Sequence, residues 1–188
     1  MSYSIMPGVS PTSKVIDKID GTLLSVDGGS LDSVANYSQN DVLHTGSITF
    51  NDVFASGGAG ITELVSIEVV EFGSILVKPD LRLYLFNDRT DFDITTTKNV
   101  KLDWGTVTRK AITQPIEIPA SSGIDIETAV ITPVTHDTYN LVNLNPARIL
   151  KRYLLEYDLK AVLQYRTVGG FKFQTGATLQ ISLGVIRH

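Results

Sequence analysis

The chain has 188 residues, of which 19% are charged, and its formal net charge is −4. This length suits one domain with a substantial core, and the negative charge argues against duplex DNA as a partner, because that affinity comes from neutralised phosphates. Cysteine is absent, which excludes disulfides and thiol chemistry, and no uncharged apolar run approaches the roughly 20 residues that span a bilayer, so we expect no membrane partner.

The first 13 residues, Met1–Ser13, predict an extended N-terminal arm. Pro7, Gly8 and Pro11 stand among serines, a composition that resists helix and sheet interiors. A frayed, disordered terminus is the alternative, but the arm is more apolar than solvated tails usually are, which is compatible with ordering against a neighbouring subunit. The candidate interface residues are Tyr3, Ile5, Met6 and Val9. Residues 14–188 are predicted to form a single β-sandwich domain.

Short β-prone runs separated by turn residues follow the arm. The predicted strands are Val15–Ile19, Thr22–Val26, Val42–Phe50, two runs within Ile61–Phe86, Val100–Trp104, Val107–Ile118, Val130–Thr132, Tyr139–Leu144, Tyr153–Gln164 and Thr178–Ile186. The glycines of Asp27-Gly28-Gly29 are typical of a tight turn after the second strand, and prolines at 115 and 119 favour an edge position for Val107–Ile118.

The run Leu81–Phe86 gives the clearest strand pattern. One face would carry Leu81, Leu83 and Leu85, and the other Arg82, Tyr84 and Phe86. A period of two residues is the signature of a strand, so this run predicts one wholly apolar face and one amphipathic face.

Helix is scarce, and its best candidate is Asn145–Arg152. An asparagine at the N-cap followed by Pro146 at the first helical position is a typical helix start. The segment Arg152–Gln164 could continue this helix, but we interpret it as a strand. Many short strands at close spacing predict an all-β fold, an antiparallel β-sandwich or jelly roll with little helix.

No residue set demands a catalytic interpretation. The three histidines, His44, His136 and His188, are not at metal-ligand spacing, and no G-x-S-x-G motif accompanies them. The loop Ser56–Gly60 lacks the lysine of a phosphate-binding loop and is interpreted as a turn. We therefore expect no enzyme activity and no cofactor.

Acidic and aromatic residues leave weaker alternatives open. Calcium could bind oxygens of Asp88, Asp91 and Asp93, but EF-hand spacing is missing and a solvated loop is favoured. Glu63, Glu68 and Glu71 are interpreted first as strand-face residues rather than a glycosidase pair. A carbohydrate-binding module would need an exposed aromatic row, for instance Trp104 with Tyr139 or Tyr157.

The stretch Leu64–Val107 resembles a group of virion proteins of tailed bacteriophages. Members show a strand like Leu81–Phe86 followed by asparagine or aspartate, then a polar excursion, here Asn87–Asn99, then a strand like Val100–Val107. The resemblance implies a non-enzymatic structural protein of the virion, assembled in the host cytoplasm. It would be a capsid decoration or cement protein that binds the major capsid protein or other virion subunits as a homo-oligomer; a tail, neck or fibre component is the alternative.

Overall fold

The computed structural model describes residues 21–31, 33–46, 48–55, 60–73, 79–87, 96–102, 114–128, 135–152 and 158–188. These residues form nine strands and one short 3₁₀ turn, Ala120–Ser122. The strands are β1 Gly21–Ser30, β2 Ile48–Phe50, β3 Ile61–Phe72, β4 Leu81–Asn87, β5 Ile116–Ile118, β6 Gly123–Thr128, β7 Thr135–Lys151, β8 Leu159–Tyr165 and β9 Thr178–Arg187.

The strands form two antiparallel sheets. The larger has the order β1-β9-β3-β7-β6 and the smaller the order β2-β8-β4-β5. Apart from β6, each sheet holds four strands, and most connections cross from one sheet to the other, which is the arrangement of a jelly roll. The predicted all-β sandwich is therefore confirmed, and the described residues form its two layers.

The core lies between the sheets and is built from the inward-facing side chains of their strands. On β3, Leu64, Ile67 and Val69 are buried, with one shift of register between Leu64 and Ser66. On β4, the predicted apolar face of Leu81, Leu83 and Leu85 is at most 5% exposed, so that pattern is confirmed. Each fully buried side chain of this size contributes about 1.5–3 kcal/mol, so the layered core is the main source of stability.

The predicted helix at Asn145–Arg152 is wrong, because this segment belongs to β7. β3 offers a row of backbone partners to it, from Ile61 opposite Lys151 to Leu64 opposite Arg148. The next pair is Ser66 with Asn143, so residues 144–147 form a bulge, a place where strands tolerate proline. A helix of two turns is marginal alone, and sheet pairing outweighs its capping signal.

Two strand boundaries also differ from the prediction. The predicted turn at Asp27-Gly28-Gly29 is a bulge within β1, where Gly29 has φ +82° and its N–H donates to Asp27 Oδ1. The predicted strand Val42–Phe50 keeps regular form at Ile48–Phe50 alone, because Gly46 has φ +75°, a left-handed conformation that ends a strand.

The other predicted strands divide into two groups. Tyr139–Leu144 lies within β7, Thr178–Ile186 is β9, and the end of Val107–Ile118 is β5, which is an edge strand as its prolines predicted. Val15–Ile19 and Val130–Thr132 lie outside the described residues, as does the first part of Tyr153–Gln164. The described part of Val100–Trp104, residues 100–102, is not a strand of either sheet, and Lys101 forms an isolated bridge with Asp41.

Candidate functional site

The residues predicted to form a subunit interface lie outside the described part of the chain. These are Tyr3, Ile5, Met6 and Val9 of the N-terminal arm. The same holds for Asp88, Asp91, Asp93, Trp104 and Tyr157. The roles assigned to them stay predictions, and the candidate site is built from other residues.

The outer face of the larger sheet, the side that points away from the core, carries apolar residues interspersed with polar ones such as Glu63, Glu68 and Ser182. Its apolar residues alternate along their strands with residues that face the core. They are Leu23, Ile61, Val70, Phe72, Leu141, Ile149 and Ile186. Leu23 is 53% exposed, Ile149 52% and Phe72 40%. A sheet with one solvated face normally carries polar residues outward, so these three exposed apolar side chains are candidates for a contact surface.

An acidic residue, Glu63, and a glycine, Gly184, lie among the apolar residues of the outer face. The strand register places Glu63 between Ile186 on β9 and Ile149 on β7. Gly184 on β9 lies beside Leu23, and a Cβ at this glycine would collide with Ser66 Oγ. The absence of a side chain at Gly184 makes room for Ser66, whose hydroxyl occupies the space above this residue.

A second exposed apolar feature lies at one end of the sandwich, on a loop platform of residues 33–46, 96–101 and 166–171. Its segments are joined by backbone hydrogen bonds, among them Tyr37 N to Phe171 O at 2.6 Å and Val42 N to Val100 O at 2.9 Å. Three valines project from it: Val34 at 89% exposed, Val100 at 51% and Val168 at 82%. The platform therefore exposes three separate apolar side chains.

His44 fastens this platform to the core. Its Nε2 accepts the N–H of Leu163 at 3.0 Å, so Nδ1 carries the proton and donates to the carbonyl oxygen of Gly46 at 2.7 Å. The side chain is 1% exposed. Burial disfavours the imidazolium and lowers the pKa of His44 to about 4, against the smaller opposing effect of the Gly46 hydrogen bond. Both ring nitrogens are used structurally, which is the role of a core histidine and not of a catalytic base.

Two carboxylates meet in a surface hollow of about 230 Å³ that sequence reasoning missed. Asp80 and Glu117 line it together with Arg166, far apart in sequence. Arg82 Nε donates to Glu117 Oε1 at 2.5 Å, and this hydrogen bond is the main cause of the raised pKa of Arg82. Asp80 Oδ1 accepts the N–H of Ala120 at 2.8 Å. Glu117 joins β5 to Arg82 of β4, and Asp80 binds the backbone at Ala120, so both carboxylates already have structural partners.

Two further cavities are unlike ligand sites. Glu71, predicted on a strand face, is buried on the inner side of β3 and lines a cavity of about 20 Å³ with Asn140, room for about one water molecule. A hollow of about 500 Å³ is lined by the β7 bulge, Asn143–Ile149. Ligand sites usually gather polar groups from several elements, whereas this hollow is formed by one continuous segment.

The remaining titratable groups do not assemble into a centre. His188 Nε2 lies 3.2 Å from Glu63 Oε1 at the open end of the larger sheet, and the side chain of His136 is not described. Within the described residues, no three His, Asp or Glu side chains gather at a possible metal site, and no helix is long and apolar enough to cross a membrane.

Comparison with known proteins adds no relative. No protein-family model matches the chain, and no curated protein matches it. The class that the structure defines is thus a jelly-roll β-sandwich with exposed apolar side chains on one outer face, and its function is argued from that surface.

Proposed function

We propose that this chain is a non-enzymatic structural protein of a bacteriophage virion, most directly a decoration or cement protein that stabilises the head by binding the major capsid protein. The outer face of the larger sheet carries this proposal. A protein that lies flat on a shell of subunits needs a broad apolar surface and needs neither a catalytic centre nor a cofactor. Leu23, Phe72 and Ile149 supply the most exposed part of that surface.

Two further observations support the proposal. The stretch Leu64–Val107, which resembles phage virion proteins, includes most of β3 and all of β4, one strand from each sheet. The jelly-roll strand order is also common in viral capsid domains. Lectins and other proteins share this order, so the fold supports the role by analogy alone.

The alternatives proposed from the sequence are less well supported. A tail, neck or fibre protein could use the same apolar surface. A carbohydrate-binding module needs a row of exposed aromatic rings, and the side chains of its candidates Trp104, Tyr139 and Tyr157 lie outside the described residues. Phe72 is exposed on the outer face, and Tyr139 of the neighbouring strand β7 pairs with Val70 on that face.

The first experiment asks whether the protein is part of the particle. Particles of the phage whose genome encodes this chain are purified by density gradient, and their proteins are quantified by mass spectrometry. We expect this chain in a copy number comparable with that of the major capsid protein, and antibody labelling on the heads. Its recovery in the soluble fraction alone, or on tails alone, would contradict the head assignment.

A second experiment tests the outer face. The double variant Phe72→Lys and Ile149→Lys is compared with Val168→Lys, which places a lysine at an exposed valine of the loop platform. Particles that lack the protein are incubated with each variant and sedimented. We expect the double variant to stay in the supernatant and Val168→Lys to sediment as the wild type does. Equal binding by both would rule out the outer face as the contact.

A further inference from the structure

The four edge strands of the two sheets are protected to very different degrees. β2 and β5 have three residues each, and β5 lies between Pro115 and Pro119. β6 carries two acidic residues among six, Asp125 and Glu127. Short length, proline and charge are the devices by which proteins prevent edge strands from pairing with other chains. β1 has ten residues, and Gly21–Val26 contains no charge and no proline.

The geometry of β1 leaves one side of its backbone open within the described part of the chain. β1 pairs with β9 from Gly21 opposite Ile186 to Val26 opposite Ile181, and with no other described strand. The bulge at Asp27–Gly29 ends this regular stretch. An open edge of this kind presents a row of N–H and C=O groups that a further strand can pair with.

We propose that β1 pairs with β1 of a second copy of this chain, antiparallel and about a two-fold axis, so that the two larger sheets become continuous. A two-fold interface uses the same surface on both copies. The alternation in β1 is compatible with this symmetry, since Leu24 and its neighbours two residues away face the core while Leu23 and Ser25 face outward. With the axis at Leu24, core-facing residues meet core-facing residues.

Charge makes a second copy the best occupant of this edge. Around an axis at Leu24, Leu23 of one copy lies opposite Ser25 of the other, and no like charges meet in Gly21–Val26. Pairing of β6 with itself would instead bring the acidic residues Asp125 and Glu127 of both copies together. Like charges in cross-strand contact are destabilising. β1 is therefore the edge at which self-association costs least.

This pairing goes beyond the proposed virion role and does not depend on it. A stable dimer that never enters particles would remove the virion role and keep the pairing. A monomer that coats particles would do the reverse. An interface built mainly on one strand is at the small end of protein interfaces, so we expect a concentration-dependent equilibrium rather than an obligate dimer.

The test uses the full chain in a sedimentation series over a wide range of protein concentration. We expect the mass to rise from 20.5 kDa to twice that value. Leu23→Lys should raise the dissociation constant about tenfold, because two cross-strand pairs are lost. Ile149→Lys is the matched control: it lies on the same outer face, is 52% exposed against 53% for Leu23, and is distant from β1. It should keep the wild-type dissociation constant.

Hydrogen exchange locates the contact without a substitution. We expect those amides of Gly21–Val26 that do not donate to β9 to become protected as the protein concentration rises. A monomer at every concentration would overturn the proposal. So would β1 amides that are protected equally in monomer and dimer, which would mean that a segment of the same chain occupies the edge. A dimer that resists Leu23→Lys but is lost in Ile149→Lys would indicate contact through the outer face instead.

Discussion

Both sheets have apolar residues on the side that faces away from the core, but within the described part of the chain only those of the smaller sheet are covered. On the smaller sheet, Tyr84 and Phe86 of β4 pack in a second cluster with Val42, Leu102 and Val162, and all five are at most 7% exposed. On the larger sheet, Leu23 and Ile149 are more than half exposed among the described residues.

The difference shows why strand patterns alone do not identify a binding surface. Leu81–Phe86 and Ile61–Phe72 each place apolar residues on both sides of a strand. On β4, Tyr84 and Phe86 pack under the loop segments that contain Val42 and Leu102. These two segments are joined by a hydrogen bond from Asn99 N to Val42 O at 2.8 Å. On β3, Ile61 and Val70 are half-buried and Phe72 is 40% exposed. Internal covering stabilises the fold, whereas an open apolar face is available for assembly.

The largest expected effect comes from a charge placed between the two sheets. Leu83 is fully buried on β4 opposite Ile116 and Leu163. Leu83→Asp should unfold the domain, because an unpaired buried charge costs several kcal/mol against a total stability of about 5–15 kcal/mol. Arg82→Ala, on the next residue, should cost no more than about 1 kcal/mol, since exposed ion pairs contribute little. Circular dichroism during urea unfolding measures both, and a Leu83→Asp protein with a cooperative transition would disprove burial.

A matched pair of phenylalanines tests the contrast between the covered and open faces. Phe86 is fully buried in the second cluster, whereas Phe72 is 40% exposed on the outer face. Phe86→Ala should lower the free energy of unfolding by about 3–5 kcal/mol, the usual cost of removing a buried ring. Phe72→Ala should cost much less, on the order of 1 kcal/mol. Equal losses in urea titrations would show that something covers both faces.

The third expected effect is a loss of stability in acid caused by His44. The ordinary pKa of histidine is 6.5, and burial lowers that of His44 to about 4. Below pH 6.5 the unfolded chain takes up a proton that the folded chain excludes, so stability falls progressively as the pH drops from 6.5 to about 4. The full loss is about 3 kcal/mol.

His44→Gln serves as the comparison for this acid effect. It removes the titrating ring and keeps a side-chain oxygen that can accept the N–H of Leu163. The variant should be less stable than the wild type at pH 7, but its stability should change less between pH 6.5 and 4. Parallel pH profiles of the two proteins, measured by urea unfolding, would contradict the role of His44.

Local features of the fold were predictable from the sequence, while features that depend on distant segments were not. The alternation at Leu81, Leu83 and Leu85 is visible in consecutive residues and was predicted correctly. The helix at Asn145–Arg152 was predicted wrongly because the pairing with Ile61–Leu64 lies more than eighty residues away in sequence and outweighs a local capping signal.

The candidate site depends even more on distant segments. Ile61, Val70 and Phe72 were visible as apolar residues of a strand, but whether a loop covers them is decided by the connections of the whole sandwich. The hollow of Asp80, Glu117 and Arg166 is likewise assembled from three distant segments. Strand identity can therefore be derived from local periodicity, whereas exposure requires the topology.

The smallest expected effect on stability comes from deleting the arm, Met1–Ser13. The described core residues all follow Gly21, so we expect the melting temperature of the truncated protein to stay close to that of the full chain.

The arm should matter for assembly. Each large apolar side chain that it buries on a neighbour contributes about 1.5–3 kcal/mol, while ordering each backbone residue costs about 1–2 kcal/mol. The net gain per arm is small and becomes effective through many linked copies. Incorporation into particles should therefore fall in the truncated protein, as measured by co-sedimentation with particles that lack it. The quadruple substitution of Tyr3, Ile5, Met6 and Val9 by serine should reproduce the loss at full chain length, and normal incorporation of that variant would show that the arm is not a subunit contact.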